Sequence, residues 1–297
     1  MISEQDVAFY NDNGYLVVPD VLSTNDVAEL RQVTEDFVES ARRVSAHNEI
    51  YDLEDSHSTT EPRVRRIKAP HAHHQAYARM VDHPNILAIL QKLWGPSIRF
   101  DVSKLNLKAA GYGAPVEWHQ DWAFYPHTND DLCAIGIMID DVDETNGPLM
   151  VIPGSHKGPV LDHHAGEGFF CGAIDPRRGE VDFGEAVKLT GAAGSVTIHH
   201  ARTIHGSATN TSGKPRRLLL HQYRAADAWP LLGKDQPWDE YRGNLLCGED
   251  TIEPRMTAVP VRLPLPPAPK QGSIYENQKS SANRYFQTAD DLQAVGD

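Results

Sequence analysis

Cysteine is scarce in this sequence. The 297 residues include three, Cys133, Cys171 and Cys247, and none of them is close enough to another to form a CxxC pair. Disulfide-stabilised domains and cysteine-rich zinc sites need more cysteines at closer, regular spacings. The composition therefore excludes both classes of protein, and we expect a reducing compartment, the cytoplasm.

Positive charge and long apolar runs are also lacking. Lys and Arg together number 28 against 41 Asp and Glu, which gives a formal net charge of −13. Because nucleic acids and anionic membranes are bound through Lys and Arg, we expect neither as a partner. No run reaches the roughly 18 apolar residues that a membrane span needs. Residues 1–6 are polar and acidic, so we expect no signal peptide.

What remains is an ordinary globular composition, with 40% hydrophobic and 23% charged residues. Hydrophobic periodicity predicts helices first and short strands afterwards. The predicted helices are 3–11, 24–44 and 85–93, and the predicted strands are 15–19, 98–108, 132–140, 148–153, 186–190, 194–199, 203–209 and 216–224. Helices followed by many strands indicate a mainly β protein, a barrel or jelly roll with flanking helices. We predict one domain over 1–297, with a helical coat (1–95), a β core (96–228) and an extension (229–297).

The sequence around residues 104–122 carries the first chemical signal. The segment 104–108 alternates polar and apolar residues, as a half-buried strand does, and His119 and Asp121 follow it. In an extended chain, residues two apart point to the same face. An imidazole and a carboxylate side by side are two of the three ligands of the 2-His-1-carboxylate site of non-haem Fe(II). A strand-end histidine beside a turn aspartate is an equally good interpretation of this motif alone.

A second segment supplies the missing parts. His205 and Ser207 lie in a predicted strand, 210–213 is a turn, and Arg216 begins the next strand. If the two strands form a hairpin, Ser207 pairs with Arg216, and both face the same side as His205. A guanidinium fork and a hydroxyl next to a metal site suit 2-oxoglutarate, whose far carboxylate needs such donors.

These motifs resemble those of the phytanoyl-CoA dioxygenase family. The matching pieces are His119-Gln120-Asp121, the segment 146–158, and His205-Gly206-Ser207 followed by Arg216, which together cover most of residues 95–224. The resemblance implies a double-stranded β-helix, a jelly-roll and cupin-like core. It also implies hydroxylation of a small organic substrate, coupled to the conversion of 2-oxoglutarate and O2 to succinate and CO2.

Carried over by position, the family's roles fall on six residues. His119, Asp121 and His205 would bind Fe(II) and carry catalysis. Arg216 and Ser207 would hold the far carboxylate of 2-oxoglutarate, and Lys68 corresponds loosely to a lysine that some members place on this cosubstrate. Because the metal-binding carboxylate is present, the resemblance implies hydroxylation or a related oxidation and not halogenation.

Several alternatives stay open from the sequence. The main one is a cupin-like metal barrel with an isomerase, hydrolase or structural role, although such a barrel has no need for Arg216 beside its third ligand. The histidines His71, His73 and His74 are more consistent with a solvated or substrate-facing loop than with a metal cluster, and His200 is equally consistent with a place in the pocket wall and with a packed core histidine. The long insertion 159–185 is a candidate lid. The acidity of the chain disfavours a CoA ester, whose phosphates need cations.

Overall fold

Two antiparallel β-sheets face each other in the computed structural model of this chain, which describes residues 2–233, 236–268 and 272–294. The strands are β1 Tyr15–Val18, β2 Tyr51–Leu53, β3 Val64–Lys68, β4 Ile98–Lys108, β5 Val116–His119, β6 Leu132–Met138, β7 Leu149–Val151, β8 Val187–Leu189, β9 Val196–His200, β10 His205–Ser207, β11 Arg216–Ala225 and β12 Leu245–Cys247. The larger sheet has the order β1-β9-β6-β11-β4-β3-β2, with β12 beside β4, and the smaller has the order β5-β10-β7-β8. This arrangement confirms the predicted mainly β jelly-roll class.

Helices flank the sheets, and the first two are each capped by a serine. The helices are α1 Glu4–Asn13, α2 Thr24–Ser40, α3 Pro70–His73, α4 Gln75–Val81, α5 Pro84–Trp94, α6 Trp238–Gly243, α7 Ile274–Gln278 and α8 Ala289–Ala294. Ser3 and Ser23 each accept a hydrogen bond from the backbone N–H three residues on, at Asp6 and Asp26, whose carboxylates accept in return. This reciprocal capping satisfies backbone groups that would otherwise lack partners at the start of a helix.

The outer face of the larger sheet carries the main hydrophobic core. Alternate residues of β4, β6 and β11 are apolar and point toward the helices α2, α4 and α5. Leu105, Ile135 and Leu219 are fully buried there. Burial of this apolar face against the helices stabilises the fold. The opposite face of the same strands is left to point at the smaller sheet.

That inner face is unusually polar for a buried surface. On β4 it presents Lys104, Asn106 and Lys108, and Asn106 and Lys108 are almost fully buried. The sequence pattern predicts a half-buried strand here, with its polar side toward solvent. The structure instead buries both sides, because the smaller sheet covers the polar one. The inner face is therefore where a site can be built.

The predicted hairpin between β10 and β11 is wrong. Ser207 pairs with Val116 of β5, and Arg216 pairs with Lys108 of β4, so the two strands belong to different sheets. The segment between them crosses from one sheet to the other. Ser207 and Arg216 still meet in one cavity, because the sheets face each other across it.

Some strands and helices of the structure were not predicted from the sequence. The strands β2 and β3 lie in a polar stretch that gave no clear periodicity, and the C-terminal helices follow proline-rich sequence. No helix in the described ranges combines the length and apolar character that a membrane span needs.

One glycine at the end of α1 offers a test of the packing. Gly14 has a φ of +76°, and a Cβ there would lie 2.4 Å from Nδ1 of His156 and 2.5 Å from Oγ1 of Thr203. We expect Gly14→Ala to lower the free energy of unfolding by more than the roughly 1–2 kcal/mol that a left-handed conformation costs an L-residue. Gly111 is the matched control, since it has a φ of +65° and open space around it. Equal losses for the two alanine variants in chemical denaturation would contradict this packing.

Candidate active site

The structure brings His119, Asp121 and His205 together at one end of the smaller sheet. His119 ends β5 and pairs directly with His205, the first residue of β10. Both Nε2 atoms point at Oδ1 of Asp121, at 3.7 Å from His119 and 3.9 Å from His205. His119 and Asp121 do not come together through strand alternation, as predicted, because β5 ends at His119. Asp121 opens a short 3-10 turn that swings its carboxylate back toward the two imidazoles.

Backbone carbonyls fix the orientation of both imidazoles. Nδ1 of His119 donates to the carbonyl oxygen of Glu117 at 2.8 Å, and Nδ1 of His205 donates to that of Thr203 at 2.9 Å. The proton is thereby held on Nδ1, and the lone pair of each Nε2 is left for a ligand. This second hydrogen bond is the usual device by which proteins orient metal-binding histidines.

The ionisation states also suit a metal. Burial lowers the pKa of His119 to about 4 and the pKa of His205 well below its usual value. Burial alone would raise the pKa of Asp121, but Lys104 and the neighbouring histidines hold that pKa well below its usual range. At neutral pH the site therefore offers two neutral imidazoles and one carboxylate, the set that fits Fe(II). Among the described residues, no other group of three such side chains converges in this way.

The second oxygen of Asp121 has its own partners. Oδ2 accepts a hydrogen bond from Nε2 of Gln222 at 3.4 Å and lies 3.6 Å from Nε2 of His199. His199 is on the inner face of β9, whereas His200 points outward and its ring packs 5.2 Å from that of His156. The histidine that lines the pocket is therefore His199, and the interpretation of His200 as a pocket residue is wrong.

Arg216 and Ser207 line the same cavity, which measures about 40 Å³. The Arg216 side chain is buried, and its Nε donates to the carbonyl oxygen of Gly147 at 3.0 Å. Burial lowers the pKa of Arg216 to about 10, so the guanidinium stays charged at neutral pH. No described residue accepts a hydrogen bond from its two Nη atoms. The end of the guanidinium is thus free to hold an anion.

Lys68 lies apart from this group. Its ammonium is 2.9 Å from a carboxylate oxygen of Asp52 and donates to the carbonyl oxygen of Asn48, and Lys68 is not among the residues that line the cavity. The basic run instead sends Arg66 inward, where its Nε donates to Oδ1 of Asn106 at 3.0 Å. Lys68 shares the face of Arg66 by strand alternation, but its ammonium is turned to Asp52 and Asn48, and its contact with the cosubstrate stays a prediction.

The sequence did not predict all of the polar residues that line the cavity. The full polar lining consists of Arg66, Lys104, Asn106, His119, Asp121, His199, His205, Ser207 and Arg216. Arg66, Lys104, Asn106 and His199 were not predicted. Ile274 of α7 also contributes, from almost the end of the chain. The alternation in 104–108 was a usable signal for Lys104 and Asn106. Nothing in the sequence pattern pointed to Ile274.

The aromatic residues after Asp121 divide between core and site. Trp122 is fully buried in a small apolar cluster, whereas the Phe124 ring meets the His119 ring edge-on at 5.8 Å. In the segment 159–185, Nε2 of His163 accepts a hydrogen bond from the backbone N–H of Gln120 at 2.9 Å. No residue of that segment lines the cavity, and its closure over the site stays a prediction.

Comparison with known proteins agrees with this geometry. A family model described as "Phytanoyl-CoA dioxygenase (PhyH)" matches residues 10–218. The chain is 40% identical over 287 residues to a Stutzerimonas stutzeri protein named "Probable alpha-ketoglutarate-dependent hypophosphite dioxygenase", covering 93% of this chain and 97% of that protein. It is 34% identical over 241 residues to L-proline trans-4-hydroxylase of Streptomyces griseoviridis, covering 74% and 86%. The crystal structure of EctD from S. alaskensis with bound Fe has a TM-score of 0.65 at 24% identity and 89% coverage of both chains.

These matches decide between the alternatives left by the sequence. The family model covers more than half of the chain, and the match to each of the two relatives covers most of that relative's length. The resemblance inferred from the motifs is thus confirmed, and a barrel without oxygenase activity is disfavoured. The chain belongs to the phytanoyl-CoA dioxygenase family, and it is an Fe(II)- and 2-oxoglutarate-dependent dioxygenase.

Proposed function

We propose that His119, Asp121 and His205 bind the Fe(II) and that Arg216 and Ser207 bind the far carboxylate of 2-oxoglutarate. The observation that supports this proposal is that the Nε2 atoms of both histidines point at the same oxygen of Asp121. They do so in the cavity that Arg216 also lines. When bound, Fe(II) and 2-oxoglutarate supply the oxidising chemistry, with O2 as the oxidant and succinate and CO2 as products. The chain's own residues orient the cosubstrate and limit the access of water.

The substrate we propose is hypophosphite. The relative that is 40% identical over 93% of this chain is named for that ion. Hypophosphite is also small, with only three non-hydrogen atoms, and the cavity that would hold it beside 2-oxoglutarate is enclosed between the two sheets. One oxygen atom of O2 would convert a P–H bond to P–OH, which gives phosphite, and the other would enter succinate as CO2 leaves.

The test is succinate release by the Fe(II)-loaded protein, with a panel of candidate substrates. We expect hypophosphite to stimulate succinate formation and to yield phosphite in equal amount, detected by 31P NMR. L-Proline is the comparison substrate, because the relative that is 34% identical carries its name. Stimulation by L-proline and not by hypophosphite would overturn the substrate but leave the dioxygenase chemistry standing.

We also propose that residues 1–297 act as one domain in the cytoplasm. The cavity takes Arg66 from the N-terminal part, the iron-site residues from the β core, and Ile274 from the C-terminal part, which supports a single unit. Cys133, Cys171 and Cys247 are all free thiols, as suits a reducing compartment.

A further inference from the structure

Lys104 is a half-buried cation on the wall of the cavity. It lies on the inner face of β4 and lines the cavity, and its ammonium has no hydrogen bond or ion pair with any described residue. It interacts electrostatically with the carboxylate of Asp121. Buried charged groups are normally paired, because an unpaired charge loses its hydration without compensation. An ammonium left free at this position therefore points to a ligand.

Arg66 adds a second unsatisfied cation from the neighbouring strand. Its Nε is held by Asn106, and its guanidinium carbon lies 5.1 Å from the centre of the Tyr275 ring. Its Nη2 is buried and has no hydrogen-bond partner among the described residues, although the side chain is only 9% exposed. The Arg66 guanidinium is thus held by Asn106 and Tyr275, and Nη2 is left without a partner in a residue that lines the cavity.

The charges of the cavity do not balance with iron and 2-oxoglutarate alone. Lys104, Arg66 and Arg216 bring three positive charges to the lining, and Asp121 brings the one negative charge. Fe(II) and the 2-oxoglutarate dianion cancel each other. A positive excess of two charges therefore remains in a site that is largely shielded from water, which favours the entry of a further anion.

Lys104 lies at a distance from Arg216 along the inner face. Arg216 pairs with Lys108, while Lys104 pairs with Leu220, four residues further along β11. Four residues of strand correspond to about 13 Å between backbone positions. Arg216 therefore lies at one end of the inner face and Lys104 lies toward the end that carries Asp121. A 2-oxoglutarate that is anchored at Arg216 reaches the iron ligands with its other end, and Lys104 lies beside those ligands, where a substrate anion would also have to be placed.

We infer that Lys104 and Nη2 of Arg66 form a second anion subsite beside the iron site, which binds the charged oxygen atoms of a small oxyanion substrate. This inference rests on the proposed function, since it assigns the first anion site to 2-oxoglutarate. It identifies Lys104 as a specificity-determining residue that selects a negatively charged substrate over a neutral one of equal size. It also explains why a lysine without a partner among the described residues lines this cavity.

The experiment measures anion binding without turnover. The protein is loaded with Fe(II) and 2-oxoglutarate under anaerobic conditions and titrated by calorimetry with hypophosphite and, separately, with phosphite. Lys104→Met removes the charge at nearly constant length, and we expect it to weaken hypophosphite binding about ten- to a hundredfold. Lys104→Arg should recover most of this loss, which shows that the variant site is still folded. Lys188→Met is the matched control, because Lys188 is an exposed strand lysine outside the cavity.

A second measurement distinguishes the proposed subsite from the 2-oxoglutarate site. The weak visible charge-transfer band of the anaerobic Fe(II)–2-oxoglutarate complex reports cosubstrate binding, and we expect Lys104→Met to change its 2-oxoglutarate titration by no more than about twofold. A large loss of 2-oxoglutarate affinity in this variant would overturn the inference and assign Lys104 to the cosubstrate. Failure of the wild type to bind either anion while the band forms would also overturn it. Absence of the band in the wild type would overturn the proposed function itself, and the inference with it.

Discussion

Asp121→Ala should abolish turnover and weaken Fe(II) binding by at least about a hundredfold. Changes in residues that only support metal ligands cost about 10–100-fold in metal affinity or activity, so the loss of a ligand should cost at least as much. Asp121 is also the carboxylate at which both imidazoles aim, at 3.7 and 3.9 Å. Its removal leaves two neutral nitrogen donors beside Lys104, an arrangement that repels a cation. Equilibrium dialysis with Fe(II), together with succinate release, measures both effects.

The control for this substitution is a histidine outside the site. His73 is exposed on α3 and is not among the residues that line the cavity, so His73→Ala should leave the iron content unchanged. Circular dichroism of the Asp121→Ala protein checks that the fold persists. An Asp121→Ala protein that still binds one Fe(II) and turns over normally would show that another group supplies the third ligand.

The residues closest to the reaction were predictable because chemistry restricts them strongly. His119, Asp121, His205 and the pair of Ser207 and Arg216 share one cavity, as the motifs predicted. The structural reason given for this prediction was only partly correct, since the predicted hairpin of β10 and β11 does not exist. Strand parity indicated which residues share a face, but it could not say whether two strands lie side by side or face each other across a cavity.

The missed residues have a different physical cause. Alternation in β4 shows which residues share a face, but in a two-sheet fold the polar face can be buried against the second sheet. Lys104 and Asn106 therefore looked like ordinary solvent-facing positions. Arg66 lies on a five-residue strand with three charged residues, a composition that predicts no strand at all. Ile274 reaches the site through tertiary packing alone.

Arg216→Ala should raise the apparent dissociation constant for 2-oxoglutarate by about a hundredfold or more. A hydrogen bond to a charged group contributes about 1.5–3 kcal/mol, and the fork can form two of them with one carboxylate. At about 1.4 kcal/mol per factor of ten, two such bonds correspond to a hundredfold or more. The bond from Nε to Gly147 holds the guanidinium in place before the ligand arrives, so little order has to be created on binding. Anaerobic titration of the charge-transfer band measures this constant directly.

Two further variants make this prediction specific to the guanidinium at position 216. Arg216→Lys should recover only part of the affinity, because an ammonium keeps the charge but cannot offer the planar fork. Arg217 is the neighbouring control: it points to the outer face, where its Nη2 lies 2.6 Å from Oδ1 of Asp140. Arg217→Ala should reduce stability without changing the 2-oxoglutarate constant, and iron binding should be unaffected in the Arg216 variants. If Arg217→Ala weakens the cosubstrate and Arg216→Ala does not, the inner and outer faces of β11 have been assigned the wrong way round. If neither variant matters, the far carboxylate of 2-oxoglutarate binds elsewhere in the cavity, with Lys104 and Arg66 as the remaining cations.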